Sequence, residues 1–155
     1  MRTRHRAALL EVFLLILVNQ NHSLELGNSF FDLLDFLKLQ KLEMAVVTGG
    51  DRNRIIPFAE EYLNGYFKDY VCSDDVQETK PSPEPYLKGL ELLGLDASEC
   101  LVIENAPLGI KAAKSAGIKT IAIETTLGKK YLQESDLIVQ TFLEIQLAIE
   151  EMLNK

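Results

Sequence analysis

Short apolar runs alternate with helical patterns from about residue 28 to the C-terminus. The runs that predict strands are 44–48, 70–73, 100–104, 119–123 and 137–139. Their apolar residues are consecutive and do not alternate with polar ones, which is typical of strands buried on both faces of a parallel sheet. Strand and helix in alternation imply right-handed crossovers. The pattern therefore predicts an α/β fold, a three-layer doubly wound (Rossmann-like) parallel sheet.

The helices between these strands have recognisable ends. Hydroxyl and amide side chains that can cap a helix start precede three of them, and glycines that can end a helix follow two. The predicted caps are Ser29, Ser82 and Asn105, and the predicted glycine ends are Gly94 and Gly117. The last helix carries an apolar stripe, formed by Phe142, Ile145, Ile149 and Met152.

Composition narrows the class of protein. A chain of 155 residues is long enough for one globular domain that buries about 70% of its unfolded surface. The net charge of -7 argues against a nucleic-acid partner, because phosphate backbones are bound by dense Lys and Arg. Cys72 and Cys100 lie in apolar stretches and are too few for a disulfide framework. We therefore expect buried free thiols and a reducing, cytoplasmic location.

The first residues resemble a signal peptide in outline. Three arginines and a histidine in residues 1–6 precede an apolar run over 7–18. Against secretion, Glu11 interrupts the run and no small-residue cleavage site follows. The run is also shorter than the about 20 apolar residues that span a bilayer, so no membrane contact is expected. We interpret the segment as a helix of a soluble protein.

Candidate phosphate chemistry falls at the carboxyl ends of predicted strands, where such sheets bind ligands. Thr48 offers a hydroxyl, and Gly49 and Gly50 offer backbone N–H groups that a phosphate can approach closely. Lys80 precedes Pro81, which favours an extended backbone and holds a positive charge at a helix entrance. From the residues alone, a plain strand-to-helix turn and a solvated lysine remain alternatives.

Glu104 and Asn105 end the predicted strand 100–104. A carboxylate at the mouth of the sheet is a plausible oxygen ligand for Mg²⁺. Asn105 can equally be a helix cap, with Glu104 stabilised by the helix dipole. Both roles can hold together.

In this order, segments 46–50, 80–86 and 101–109 resemble the second, third and fourth motifs of the haloacid dehalogenase superfamily. The nearest branch is that of β-phosphoglucomutase and phosphoglycolate phosphatase, and the likeness covers roughly residues 28–150. It implies Mg²⁺-dependent phosphoryl transfer from a small phosphorylated metabolite, through an aspartyl-phosphate. By position, Thr48 would bind the phosphoryl group and Lys80 would stabilise it. Glu104 and Asn105 would hold Mg²⁺, although Asn105 replaces the family's usual aspartate.

The family's first motif, an Asp-x-Asp that supplies the nucleophile, is absent from the chain. By resemblance, the strand that carries it lies between the strands that end at Thr48 and Glu104. We therefore expect an incomplete core domain over 28–155 with a gap in the sheet, and no turnover. Residues 1–27 would be a remnant of the helical cap domain, with residues 4–17 as its last helix.

Three interpretations follow. The favoured one is a C-terminal fragment of a phosphatase or phosphomutase, inactive alone and completed by a complementary N-terminal chain. The second is a non-catalytic module that binds phosphate or metal. The third is a protein-interaction module that associates, with itself or another chain, through exposed sheet edges.

Overall fold

A six-stranded parallel sheet forms the centre of the fold. The computed structural model describes residues 7–10, 28–125 and 127–155. In chain order the strands are β1 Ala7–Leu10, β2 Glu43–Val47, β3 Asp69–Val71, β4 Cys100–Glu104, β5 Lys119–Ile123 and β6 Leu137–Val139. Their order across the sheet is β3-β2-β1-β4-β5-β6, and every neighbouring pair is parallel.

Helices cover both faces of the sheet. The described helices are α1 Asn28–Leu39, α2 Arg52–Tyr62, α3 Glu84–Leu93, α4 Pro107–Ser115 and α5 Phe142–Leu153. One apolar cluster joins α1, α2 and α5 to the sheet, and a second joins α3 and α4 to it. In β2, Val46 belongs to the first cluster and Val47 to the second, so the strand is buried on both faces. The predicted three-layer α/β fold is confirmed.

The predicted gap in the sheet does not exist, because β1 fills it. Leu10 lies opposite Val46 of β2 on one side and Ile103 of β4 on the other. The prediction of an exposed interior edge was therefore wrong, and so was the assignment of residues 7–10 to a cap helix. A strand of four residues is too short to show a periodicity, and here its residues lie inside a longer apolar run of the sequence. The rest of segment 1–27 lies outside the described residues, and its assignment to a cap remnant stays a prediction.

Local capping agrees with the sequence in part. Helix α1 already begins at Asn28, so Ser29 lies inside the helix and is not its cap. Ser82 does act at the start of α3, where its Oγ accepts a hydrogen bond from the Glu84 N–H at 3.2 Å. Gly94 ends α3 with φ 65°, a left-handed conformation that favours glycine.

Two expectations drawn from composition can be compared with the fold. Cys72 and Cys100 are buried free thiols, as predicted. In the part of the chain that the structure describes, no helix combines the length and the apolar character needed to cross a membrane.

The central position of β1 predicts strong protection of its amides from hydrogen exchange. Residues 8–10 should exchange as slowly as 101–103 of β4, and more slowly than the edge strand β6, since β1 is paired on both sides.

Leu9→Pro removes a ladder donor and should lower the free energy of unfolding by about 1–3 kcal/mol. Exchange at residues 8–10 as fast as in an unfolded chain would contradict the pairing.

Candidate phosphate-binding site

A cavity of about 260 Å³ opens at the carboxyl ends of the strands. Residues from all three motif segments line it, among them Thr48, Gly49, Lys80, Glu104 and Gly109. The strand order explains this convergence, since β2 and β4 flank β1 and end at the same side of the sheet. Segments far apart in the chain therefore meet at one site.

Thr48 is held at the end of β2 by its backbone. Its N–H donates to the Val71 carbonyl at 2.9 Å, and its Oγ1 accepts from the Gly50 N–H at 3.1 Å. The Gly50 N–H is therefore engaged with Thr48, and Gly50 does not line the cavity, so the predicted role of Gly50 as a phosphate donor is not supported. Thr48 and Gly49 both line the cavity.

Lys80 is a buried lysine at the cavity wall, with a side chain only 10% exposed. Its ammonium donates to the Val47 carbonyl and the Tyr86 hydroxyl at 3.1 Å each, and to Glu104 Oε1 at 3.2 Å. Burial lowers the pKa of Lys80 to about 8, and Glu104 opposes that shift. The alternative of a solvated surface lysine is therefore excluded.

Glu104 is fully buried and accepts four hydrogen bonds. Oε1 accepts from Lys80 and from the Tyr86 hydroxyl at 3.3 Å, and Oε2 accepts from the N–H groups of Asn105 and Ala106 at 2.7 Å each. Burial, reinforced by Glu104, raises the pKa of Tyr86 well above its ordinary value, so the phenol stays protonated and keeps donating. One carboxylate thus connects the Lys80 segment, α3 and the start of α4.

Asn105 has a different role from the predicted cap. Its Nδ2 donates to Thr125 Oγ1 at 2.9 Å, which attaches it to the loop after β5. The N-cap of α4 is Ala106, which offers no side-chain bond. The Glu104 carboxylate takes the N–H groups that a cap would satisfy.

The described residues do not fit a Mg²⁺ site. Glu104 is the only carboxylate among the described residues that line the cavity, and its oxygens already accept four bonds. Asn105 offers only a neutral amide oxygen, whereas Mg²⁺ is usually held by one or two carboxylates together with substrate phosphates.

A second group of possible metal ligands is engaged elsewhere. Cys72, Asp74 and Asp75 lie close together. However, Asp75 pairs with the Arg52 guanidinium, and Asp74 accepts the Arg52 N–H. Burial raises the pKa of Cys72 to about 11, which keeps the thiol protonated. This cluster holds the start of α2 against the segment after β3.

The fold and the site together agree with one family of enzymes. Residues 4–123 match the family model for haloacid dehalogenase-like hydrolases. The chain belongs to this family. Glycerol-1-phosphate phosphohydrolase 2 of Saccharomyces cerevisiae is 39% identical over 111 residues, which are 66% of this chain and 44% of that protein.

Solved structures agree with this assignment. A protein of Bacteroides vulgatus assigned as a β-phosphoglucomutase has a TM-score of 0.74 and 32% identity, over 82% of this chain and 54% of that one. A haloacid dehalogenase-superfamily hydrolase of Ehrlichia chaffeensis has a TM-score of 0.75 over 99% of this chain and 100% of its own, but only 19% identity, so it supports the fold alone. The chain spans about half the length of the curated relatives it matches.

Two residues of the site had no predicted role. Tyr86 stands in the 80–86 segment, and its position six residues after Lys80 does not reveal that its hydroxyl reaches Glu104. Gly109 lies beside the Glu104 carboxylate, and a Cβ at that position would overlap it. A glycine five residues after a strand-ending carboxylate was the available signal for this close approach.

Gly109→Ala should therefore destabilise the protein by about 1–3 kcal/mol, because either α4 or Glu104 must move to make room. Denaturant unfolding measures the change. Gly49→Ala is the matched control, since a Cβ there would meet nothing within 4 Å and should cost far less. Equal losses in the two variants would contradict the tight contact at Gly109.

Proposed function

We propose that the cavity binds the phosphoryl group of a small phosphorylated metabolite. The observation that carries the proposal is a lysine fixed by three acceptors at the wall of a cavity that Thr48 and Gly49 also line. Thr48 would donate its hydroxyl and Lys80 its charge, and Gly49, which has no side chain, would let the ligand approach the backbone closely. A bound anion would share an ammonium that the described residues already hold at three acceptors.

Family membership supports only a broad substrate class, small phosphorylated metabolites. The relatives are named as phosphatases or phosphomutases of phosphorylated metabolites, such as glycerol 1-phosphate. Members of the family generally use Mg²⁺, but the described residues of this chain do not fit that ion. We therefore assign no step of the proposed function to a metal.

We further propose that this chain binds the phosphoryl group without transferring it. Covalent transfer needs an activated carboxylate, which positioning and charge cannot replace. The residues that follow Leu10 in the chain are Glu11, Val12 and Phe13, so the Asp-x-Asp of the family does not follow β1.

The presence of β1 at the centre of the sheet weakens two of the three interpretations, the fragment completed by another chain and the interaction module. β1 already pairs with β2 and β4, so a complementary chain is not needed to complete the centre of the sheet. The same pairing removes the interior edges that a gap would have exposed, which weakens the case for an interaction module. Binding of a phosphorylated ligand is therefore the function that the described geometry favours.

Inorganic phosphate should bind at millimolar concentration, shifting the amide resonances of Thr48, Gly49 and Ala106 in an NMR titration. Lys80→Ala should weaken binding by about tenfold or more, because hydrogen bonds to charged groups contribute about 1.5–3 kcal/mol. Thr48→Val, which keeps the side-chain shape, should also weaken it. Lys111→Ala is the control, since Lys111 is exposed on α4 and does not line the cavity.

Two results would contradict the site. One is no binding at millimolar phosphate, and the other is binding that Lys80→Ala and Thr48→Val both retain while their amide spectra remain those of the folded protein. In the same preparations we expect no hydrolysis of a generic phosphomonoester with Mg²⁺. Clear turnover that is lost in Lys80→Ala would show that a nucleophile exists, and Glu11→Gln would test whether Glu11 supplies it.

A further inference from the structure

Building on the proposed phosphate site, we infer that Glu104 is an internal counter-ion for Lys80 and that the cavity binds a phosphoryl dianion without a divalent cation. This assigns to Glu104 a role different from the metal ligand that its motif implies.

The first argument is the saturation of the carboxylate. A carboxylate offers about four lone-pair sites, and Glu104 accepts from four donors. Two are the backbone N–H groups of Asn105 and Ala106, whose positions are fixed by the turn between β4 and α4. The other two are Lys80 and Tyr86. A cation could reach Glu104 only by displacing one of these donors from a fully buried position.

The second argument is charge balance. Among the described residues that line the cavity, Lys80 and Glu104 are the only charged side chains, one of each sign. Their charges cancel at 3.2 Å, so the described lining carries no excess of negative charge that would attract a divalent cation. Asn105, where the family usually has aspartate, adds none.

The third argument is that the cavity has its own donors for an anion. The first turn of α4 reaches the cavity through Leu108 and Gly109. Backbone N–H groups in the first turn of a helix have no acceptor within the helix. The Ala106 N–H already donates to Glu104, and Pro107 has no N–H. Within the described part of the chain, the N–H groups of Leu108 and Gly109 donate to no backbone carbonyl. They belong to the first turn of α4, at its positive end, and Thr48 lines the same cavity.

The test compares phosphate binding by the full chain in EDTA and in millimolar MgCl₂ at matched ionic strength. We expect the two dissociation constants to agree within about twofold. An affinity that rises about tenfold or more with Mg²⁺ overturns the inference while leaving the proposed phosphate site intact.

A second arm reports on the metal without phosphate. Mn²⁺ is titrated as a paramagnetic probe, and we expect no selective broadening of the amide resonances of residues 104–106. Selective broadening of these resonances overturns the inference, whether or not phosphate binds. Absence of phosphate binding, in contrast, refutes the proposed function. Asn105→Asp places a second carboxylate beside Glu104 and should broaden these resonances more than the parent chain does. Broadening in the parent chain equal to that in the variant also overturns the inference.

Discussion

The buried ion pair between Lys80 and Glu104 is the interaction on which the site depends. It connects the segment before α3 to the end of β4, while Tyr86 and the start of α4 bind the same carboxylate. Removing one member of such a pair leaves an uncompensated buried charge, which typically costs about 3–5 kcal/mol. The geometry of the cavity wall is therefore coupled to the stability of the fold.

The motif residues can be present for two reasons, catalysis or stabilisation of the fold. In an enzyme of this family, a lysine and a strand-ending carboxylate are expected for their chemistry. Here the same residues also satisfy each other, the phenol of Tyr86 and two backbone N–H groups. A chain without the family's first motif thus still has a physical requirement for Lys80, Glu104 and Gly109. Their presence alone is not evidence of turnover.

The sequence predicted much of the sheet and less of the site. Strands 100–104, 119–123 and 137–139 were predicted with their observed bounds, because each contains at least three consecutive apolar residues. β1 was missed because four apolar residues inside a longer run carry no period of their own. Convergence of Thr48, Lys80 and Glu104 was predictable from parallel strand ends meeting at one side. The saturation of Glu104 was not, because Lys80 and Tyr86 reach it through tertiary packing that no spacing in the chain encodes.

The central claim is that hydrogen-bond donors of the protein, among them the Lys80 ammonium, and not a metal, hold the anion. The most direct test is the pH dependence of phosphomonoester affinity in EDTA. The ligand is a dianion above pH about 6, whereas burial lowers the pKa of Lys80 to about 8. Above that pH the free protein must take up a proton to bind, so the affinity should be level near pH 7 and fall about tenfold per pH unit at higher pH. An affinity that stays constant to pH 10 would contradict this account.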